Sequence, residues 1–184
     1  MRVVAGMLLP MIMLLAGCTS IPLSAALRFS SMSPRVLAQT DPAQVRVRVS
    51  VSEGYDVNVH AARLGLRLES ASGARSASMG LTLLGVSRER RDGGLFRADM
   101  PVTTYLLALS PDGARELKDM QRFVLESDPK KFEFGVEAPF SKVPPKPREV
   151  IFWADLKLSL AEPFKPLIDG ARIRFEEGGS APAT

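Results

Sequence analysis

From Val45 onward the chain alternates apolar and polar positions. Val45, Val47, Val49 and Val51 are separated by Arg46, Arg48 and Ser50. That period of two sets one face of a strand against a core and the other in water. Leu64, Leu66 and Leu68 alternate with Arg63, Gly65 and Arg67; Phe132, Phe134 and Val136 alternate with Lys131, Glu133 and Gly135. Ala171, Ile173 and Phe175 do the same with Arg172, Arg174 and Glu176. All of these read as half-exposed strands of an antiparallel sheet. Residues 79–86 and 102–109 are apolar in both phases, which predicts strands covered on both sides, joined as a hairpin through Asp92-Gly93-Gly94. Between Val150 and Leu160, one face carries Val150, Phe152, Ala154, Leu156, Leu158 and Leu160. The other carries Ile151, Trp153, Asp155, Lys157 and Ser159, so the only tryptophan falls on the nominally wet side.

One segment has helical spacing. Ser110 is a cap residue, Pro111 suits the first helical position, and Asp112 suits the positive end of the helix dipole. Leu117, Met120 and Val124 form an apolar stripe opposite Arg115, Glu116, Lys118, Asp119 and Arg122, and Asp128-Pro129 ends the pattern. The fold expected is mainly β: an antiparallel sheet or two-layer sandwich of about seven strands with one packed helix over 111–126. That helix is the expected cover for one side of the doubly apolar strands. Ser33-Pro34 and Asp41-Pro42 each resemble a cap followed by a first-turn proline, so each predicts a single helical turn.

The start of the chain has a different character. Met1 and Arg2 precede an apolar run from Val3 to Leu15, broken by Pro10. It is too short to cross about 30 Å of hydrocarbon as a stable helix, and it has the layout of a secretory signal peptide. It ends on Leu15-Ala16-Gly17-Cys18, which contains the only cysteine. This resembles the lipobox of bacterial lipoproteins. The resemblance implies cleavage between Gly17 and Cys18, a diacylglycerol on the Cys18 thiol and acylation, such as palmitate, of the new amine. Two or three acyl chains anchor stably where one is marginal. Thr19 follows the cysteine, and lipoproteins lacking Asp there resemble those sorted to an outer membrane and facing the periplasm, rather than those kept at the inner membrane. The organisation expected is a signal peptide over 1–17, anchor and tether over 18–44, one β-rich domain over 45–178 and a C-terminal tail over 179–184. Leu23, Leu27, Phe29 and Met32 in the tether suit packing on the domain more than a helix lying on the membrane.

Composition narrows the chemistry. With 24 Lys and Arg against 20 Asp and Glu, the net charge is +4 over 184 residues. So mild and dispersed an excess does not mark a nucleic-acid binder. One His and one Cys exclude a zinc finger, a disulfide framework, an iron–sulfur site and a Cys–His pair. Phosphate-loop, dinucleotide, nucleophile-elbow and H-E-x-x-H motifs are absent from the sequence, and His60 reads as a surface or structural residue. No cofactor or metal is expected. Two surfaces remain. Arg46, Arg48, Arg172 and Arg174, with Arg63, Arg67 and Lys157, fall on outward slots and could merge into a surface for anionic lipid head groups. The more ordinary outcome is a solvated face laced with ion pairs to Glu69, Asp155 and Glu176. Ile151 and Trp153 form the other surface: either the helix or the Val143-Pro144-Pro145 segment covers them, or they contact a protein partner. The function expected is that of a non-catalytic envelope lipoprotein that binds or stabilises another envelope component. The alternatives are an accessory lipoprotein of a lipid or lipopolysaccharide transport system and, third, an enzyme with a site assembled from loops.

Overall fold

Alternation turns into strands almost wherever it occurs. The computed structural model describes residues 27–28, 34–71, 73–91 and 99–175. In chain order it contains β1 (Leu27–Arg28), α1 (Pro34–Gln39), β2 (Arg46–Ser52), β3 (Asp56–Val57), β4 (Arg63–Ser70), β5 (Gly73–Arg91) and β6 (Met100–Leu109). Then follow α2 (Pro111–Ser127), β7 (Lys131–Glu137), β8 (Phe140–Lys142), β9 (Glu149–Lys157) and β10 (Lys165–Arg174), with single 3-10 turns at Pro42–Gln44 and Val59–Ala61. The fold is mainly β with one main helix, as the periodicity predicts.

The main sheet is antiparallel, in the order β1-β7-β4-β5-β6-β2-β9-β10, and β3 and β8 pair separately. It curls until it is nearly a barrel, with β10 coming up against β7. Strand β5 makes the curl. Its first part, Gly73–Gly80, pairs with β4, and its second, Leu81–Arg91, pairs with β6. One strand thus serves two layers, β7-β4-β5 and β5-β6-β2-β9-β10. Inward side chains of both layers, among them Leu64, Leu66, Val47, Val49, Phe134 and Phe152, meet in one core.

Helix α2 sits on the handover. Ser110 Oγ accepts from the Gly113 N–H at 3.0 Å, capping the first turn. A Cβ on Gly113 would lie 2.5 Å from the Gly80 carbonyl oxygen, so only glycine lets the helix start this close to β5. Leu117, Met120 and Val124 are buried, while Arg115, Lys118 and Arg122 are exposed. The helix ends on Asp128 at φ 44°, a left-handed C-cap whose backbone N–H donates to the Val124 carbonyl. Part of the stretch expected as a tether belongs to this packing. Leu37 of α1 is fully buried in the core, and Gln121 Nε2 donates to the carbonyls of Leu37 and Thr40.

The expectation for the doubly apolar strands needs correction. Residues 79–86 were expected to be covered on both sides, yet Leu83, Leu84 and Val86 are 42, 51 and 53% exposed. Past Gly80, β5 has left β4 behind and become an edge strand, so Leu83 and Val86, although paired with the buried Leu107 and Tyr105, have no neighbouring strand among the described residues on their other side. The partner segment in β6 is covered: Val102, Thr104, Tyr105 and Leu107 are all buried. The run Gly73–Ser78 has no apolar alternation; its pairing with β4 makes it a strand. The Asp92-Gly93-Gly94 turn lies outside the described residues, although β5 and β6 do form the hairpin expected around it.

Candidate functional site: the outer face of the β2–β9 layer

The register of β2 fixes which outward side chains meet. Arg46 lies opposite Lys157, Arg48 opposite Asp155, and Ser50 opposite Trp153 on β9. Across the other edge, Arg48, Ser50 and Ser52 face Leu106, Thr104 and Val102 on β6. Most of this face is not wet. Asp155 is 3% exposed and Trp153 8%, and Ser50, Thr104, Val102 and Ile151 are buried as well.

Three features cover it. Met100, Val102, Ile151 and Trp153 form a second apolar cluster, separate from the main core. Gly170 of β10, at φ 68°, lies so close that a Cβ there would be 3.3 Å from Trp153 Nε1. Finally, the end of the β5–β6 hairpin folds across the face and places the Arg91 guanidinium 5.2 Å from the Trp153 ring centre, a cation–π contact. The cover therefore comes from neither the helix nor the Val143-Pro144-Pro145 segment, one residue of which, Pro144, lies against Gly54. Trp153 does take the outward side and is more exposed than Phe152, as strand parity requires.

Asp155 anchors the polar part. Arg48 Nε donates to Asp155 Oδ2 at 3.0 Å, and Arg91 Nη2 donates to Oδ2 and Oδ1 at 3.2 and 3.4 Å. Two guanidiniums share one nearly buried carboxylate, which offsets its desolvation and leaves a surplus positive charge. Beside it, Arg48 lies 4.6 Å and Lys157 Nζ 4.8 Å from the centre of the Phe164 ring. Arg46 Nη1 donates to the carbonyls of Ala43 and Val45.

The structure divides the arginines expected to form one surface. Arg172 and Arg174 both reach Glu149, at 2.8 and 3.4 Å. Arg46, by contrast, is paired in register with Lys157 at the far end of β9. Those two ends are roughly 27 Å apart along an extended strand. Arg172 and Arg174 thus follow the solvated, ion-paired outcome. Arg67, on the other layer, does likewise with Glu69 at 3.2 Å. Among the described residues no carboxylate lies within ion-pair distance of Arg46 or Lys157.

Nothing in the sequence pattern marks Arg91, Met100 and Phe164. They belong to a hairpin end and a loop whose contacts no periodicity encodes. His60 is exposed on the Val59–Ala61 turn. Ser50 Oγ shares a hydrogen bond of 2.9 Å with Thr104 Oγ1 rather than with a base. No group of three or more His, Cys, Asp or Glu able to hold a metal occurs among the described residues. Cys18, Gly17 and the lipobox lie outside the described residues. What this face offers chemically is a set of cations, two of them without acidic partners among the described residues, beside a small covered apolar cluster. Comparison with family models, with curated proteins and with solved structures finds no match to this chain.

Proposed function

We propose that this chain is an envelope lipoprotein, anchored by acyl chains on Cys18, that acts without catalysis by binding or stabilising another envelope component. The observation that carries the reading is Leu15-Ala16-Gly17-Cys18 at the end of an apolar, cation-led run. Leu27, the first described residue, pairs with Phe134 at the edge of the sheet. The chain from Cys18 to Leu27 spans at most roughly 30 Å when extended, so an acylated Cys18 would keep the domain close to the membrane surface. The outer membrane, facing the periplasm, is the favoured site, because Thr19 and not Asp follows the cysteine, as in lipoproteins sorted there.

Metabolic labelling with a fatty acid tests the anchor. Wild-type protein should take the label and Cys18→Ser should not; equal labelling of the two would end the reading. Crosslinking in cells, followed by mass spectrometry, identifies the component held at the surface.

A further inference from the structure

We infer that Arg46, Arg48 and Lys157, with Phe164 and Leu160 beside them, form a surface that takes the phosphate groups of anionic lipid heads. The inference deepens the membrane-anchored reading and rests on it for the identity of the membrane.

Antiparallel pairing sets Arg46 directly across from Lys157, and like charges opposite each other destabilise a sheet. Arg172 and Arg174 find Glu149, and Arg67 finds Glu69. Among the described residues Arg46 and Lys157 have no such relief. Asp155 is held by Arg48 and Arg91, Glu162 lies 3.9 Å from Lys165, and Asp41 accepts from the Ala43 N–H and Gln44 Nε2. The Phe164 ring sits near both Arg48 and Lys157. It stabilises two cations side by side without neutralising either. An anion with several oxygens would relieve the repulsion and accept from planar guanidiniums and the ammonium together.

A lipid surface is favoured by what lies next to the charges. Leu160, in the loop after β9, is 53% exposed, and Gln44 Oε1 accepts from the Leu160 N–H and Ser159 Oγ. The turn of chain that leads into Arg46 therefore also holds the backbone of this exposed leucine. Cations for phosphate and an apolar side chain for the acyl boundary match the interface of an anionic bilayer.

The test uses the full chain purified with its acyl groups. It is reconstituted in vesicles of phosphatidylcholine alone or mixed with phosphatidylglycerol, each with a trace phospholipid carrying a photoreactive head group. Intact mass reports acylation of Cys18 in the same samples. Peptides covering the start of β2 and residues 157–165 should be labelled in the phosphatidylglycerol vesicles. Labelling should fade with salt and fall roughly tenfold in Arg46→Gln/Lys157→Gln. The neutralised pair Arg172→Gln/Arg174→Gln should label as wild type, and Arg46→Lys/Lys157→Arg should restore labelling. Trp153 emission checks that each variant keeps its fold. Equal labelling in the two vesicle types, no response to the double variant, or removal of the label by inorganic phosphate would overturn the lipid surface. If Cys18 carries no acyl chain, the anchoring reading fails alone. Sedimentation of the chain with phosphatidylglycerol vesicles, lost in the double variant, would still support the surface, and no sedimentation would overturn it.

Discussion

The two layers that share β5 treat their outer faces in opposite ways. On β4 and β7 the alternation is clean. Leu64, Leu66, Leu68, Phe132, Phe134 and Val136 are buried, while Arg67, Gly65, Glu133 and Gly135 line an open trough with Ser76 and Ser78. On β9 the alternation is equally regular in sequence, yet Ile151, Trp153 and Asp155 on the outward phase are buried too. The difference lies in what the outward slots hold. Small and charged residues are content in water. A tryptophan and an isoleucine are not, and the hairpin end with Met100 and Arg91 closes over them. A carboxylate beneath that cover then needs the two arginines that reach it. One layer is thus a simple amphipathic sheet, while the other carries a second, smaller core that is itself polar at one end.

The largest effect should come from comparing the two faces of β9 directly. Phe152 is fully buried in the main core, so Phe152→Ala should cost about 4 kcal/mol, as buried phenylalanine truncations do. Trp153→Ala should cost less, because the small outer cluster can relax towards solvent. Urea midpoints decide the matter, and equal losses would mean that the outer cluster is as much a core as the inner one.

A middle-sized effect should separate the layers' ion pairs. Asp155→Asn removes the carboxylate that holds Arg48 and Arg91, with an expected cost of about 2 kcal/mol. It should also free the hairpin end, so that Trp153 emission shifts to the red and iodide quenches it better. Arg67→Gln, which breaks the exposed pair with Glu69, should stay within about 0.5 kcal/mol of wild type. A silent Asp155→Asn would show that apolar contact alone holds the cover.

The smallest effect concerns the polar tie on the inner face. Tyr105 donates to Asp56 Oδ1 at 3.2 Å and accepts from the Val57 N–H at 3.3 Å. Burial pushes its phenol above the ordinary value of 10.0; the Val57 N–H pulls it back, and the Asp56 carboxylate raises it further. A folded-state value above the unfolded one favours the protonated form. The associated stability is present below the ordinary tyrosine value and is lost as pH rises through the folded value. Tyr105→Phe should therefore cost about 1 kcal/mol near neutrality and show a shallower loss of stability in alkali. Tyr55, also raised by burial, leaves part of that loss in place. Identical alkaline profiles for wild type and variant would remove Tyr105 from the account.

What the amino-acid order determined by itself is local. The apolar alternations placed β2, β4, β7 and β9. Ser110-Pro111-Asp112 and Asp128-Pro129 placed the ends of α2, and strand parity put Trp153 opposite Phe152. Each follows from backbone geometry and nearest neighbours, which a window of a few residues contains. Tertiary structure alone decided which outward arginines are neutralised. Glu149 meets Arg172 and Arg174, and Asp155 meets Arg91, across sequence separations of 23, 25 and 64 residues. It also decided that Gly73–Ser78 is a strand, that Leu83 and Val86 lie uncovered, and that Arg91 closes over Trp153. Pairing, register and the path of a hairpin end are set by the summed burial of distant segments, and no single segment carries that sum in its own pattern.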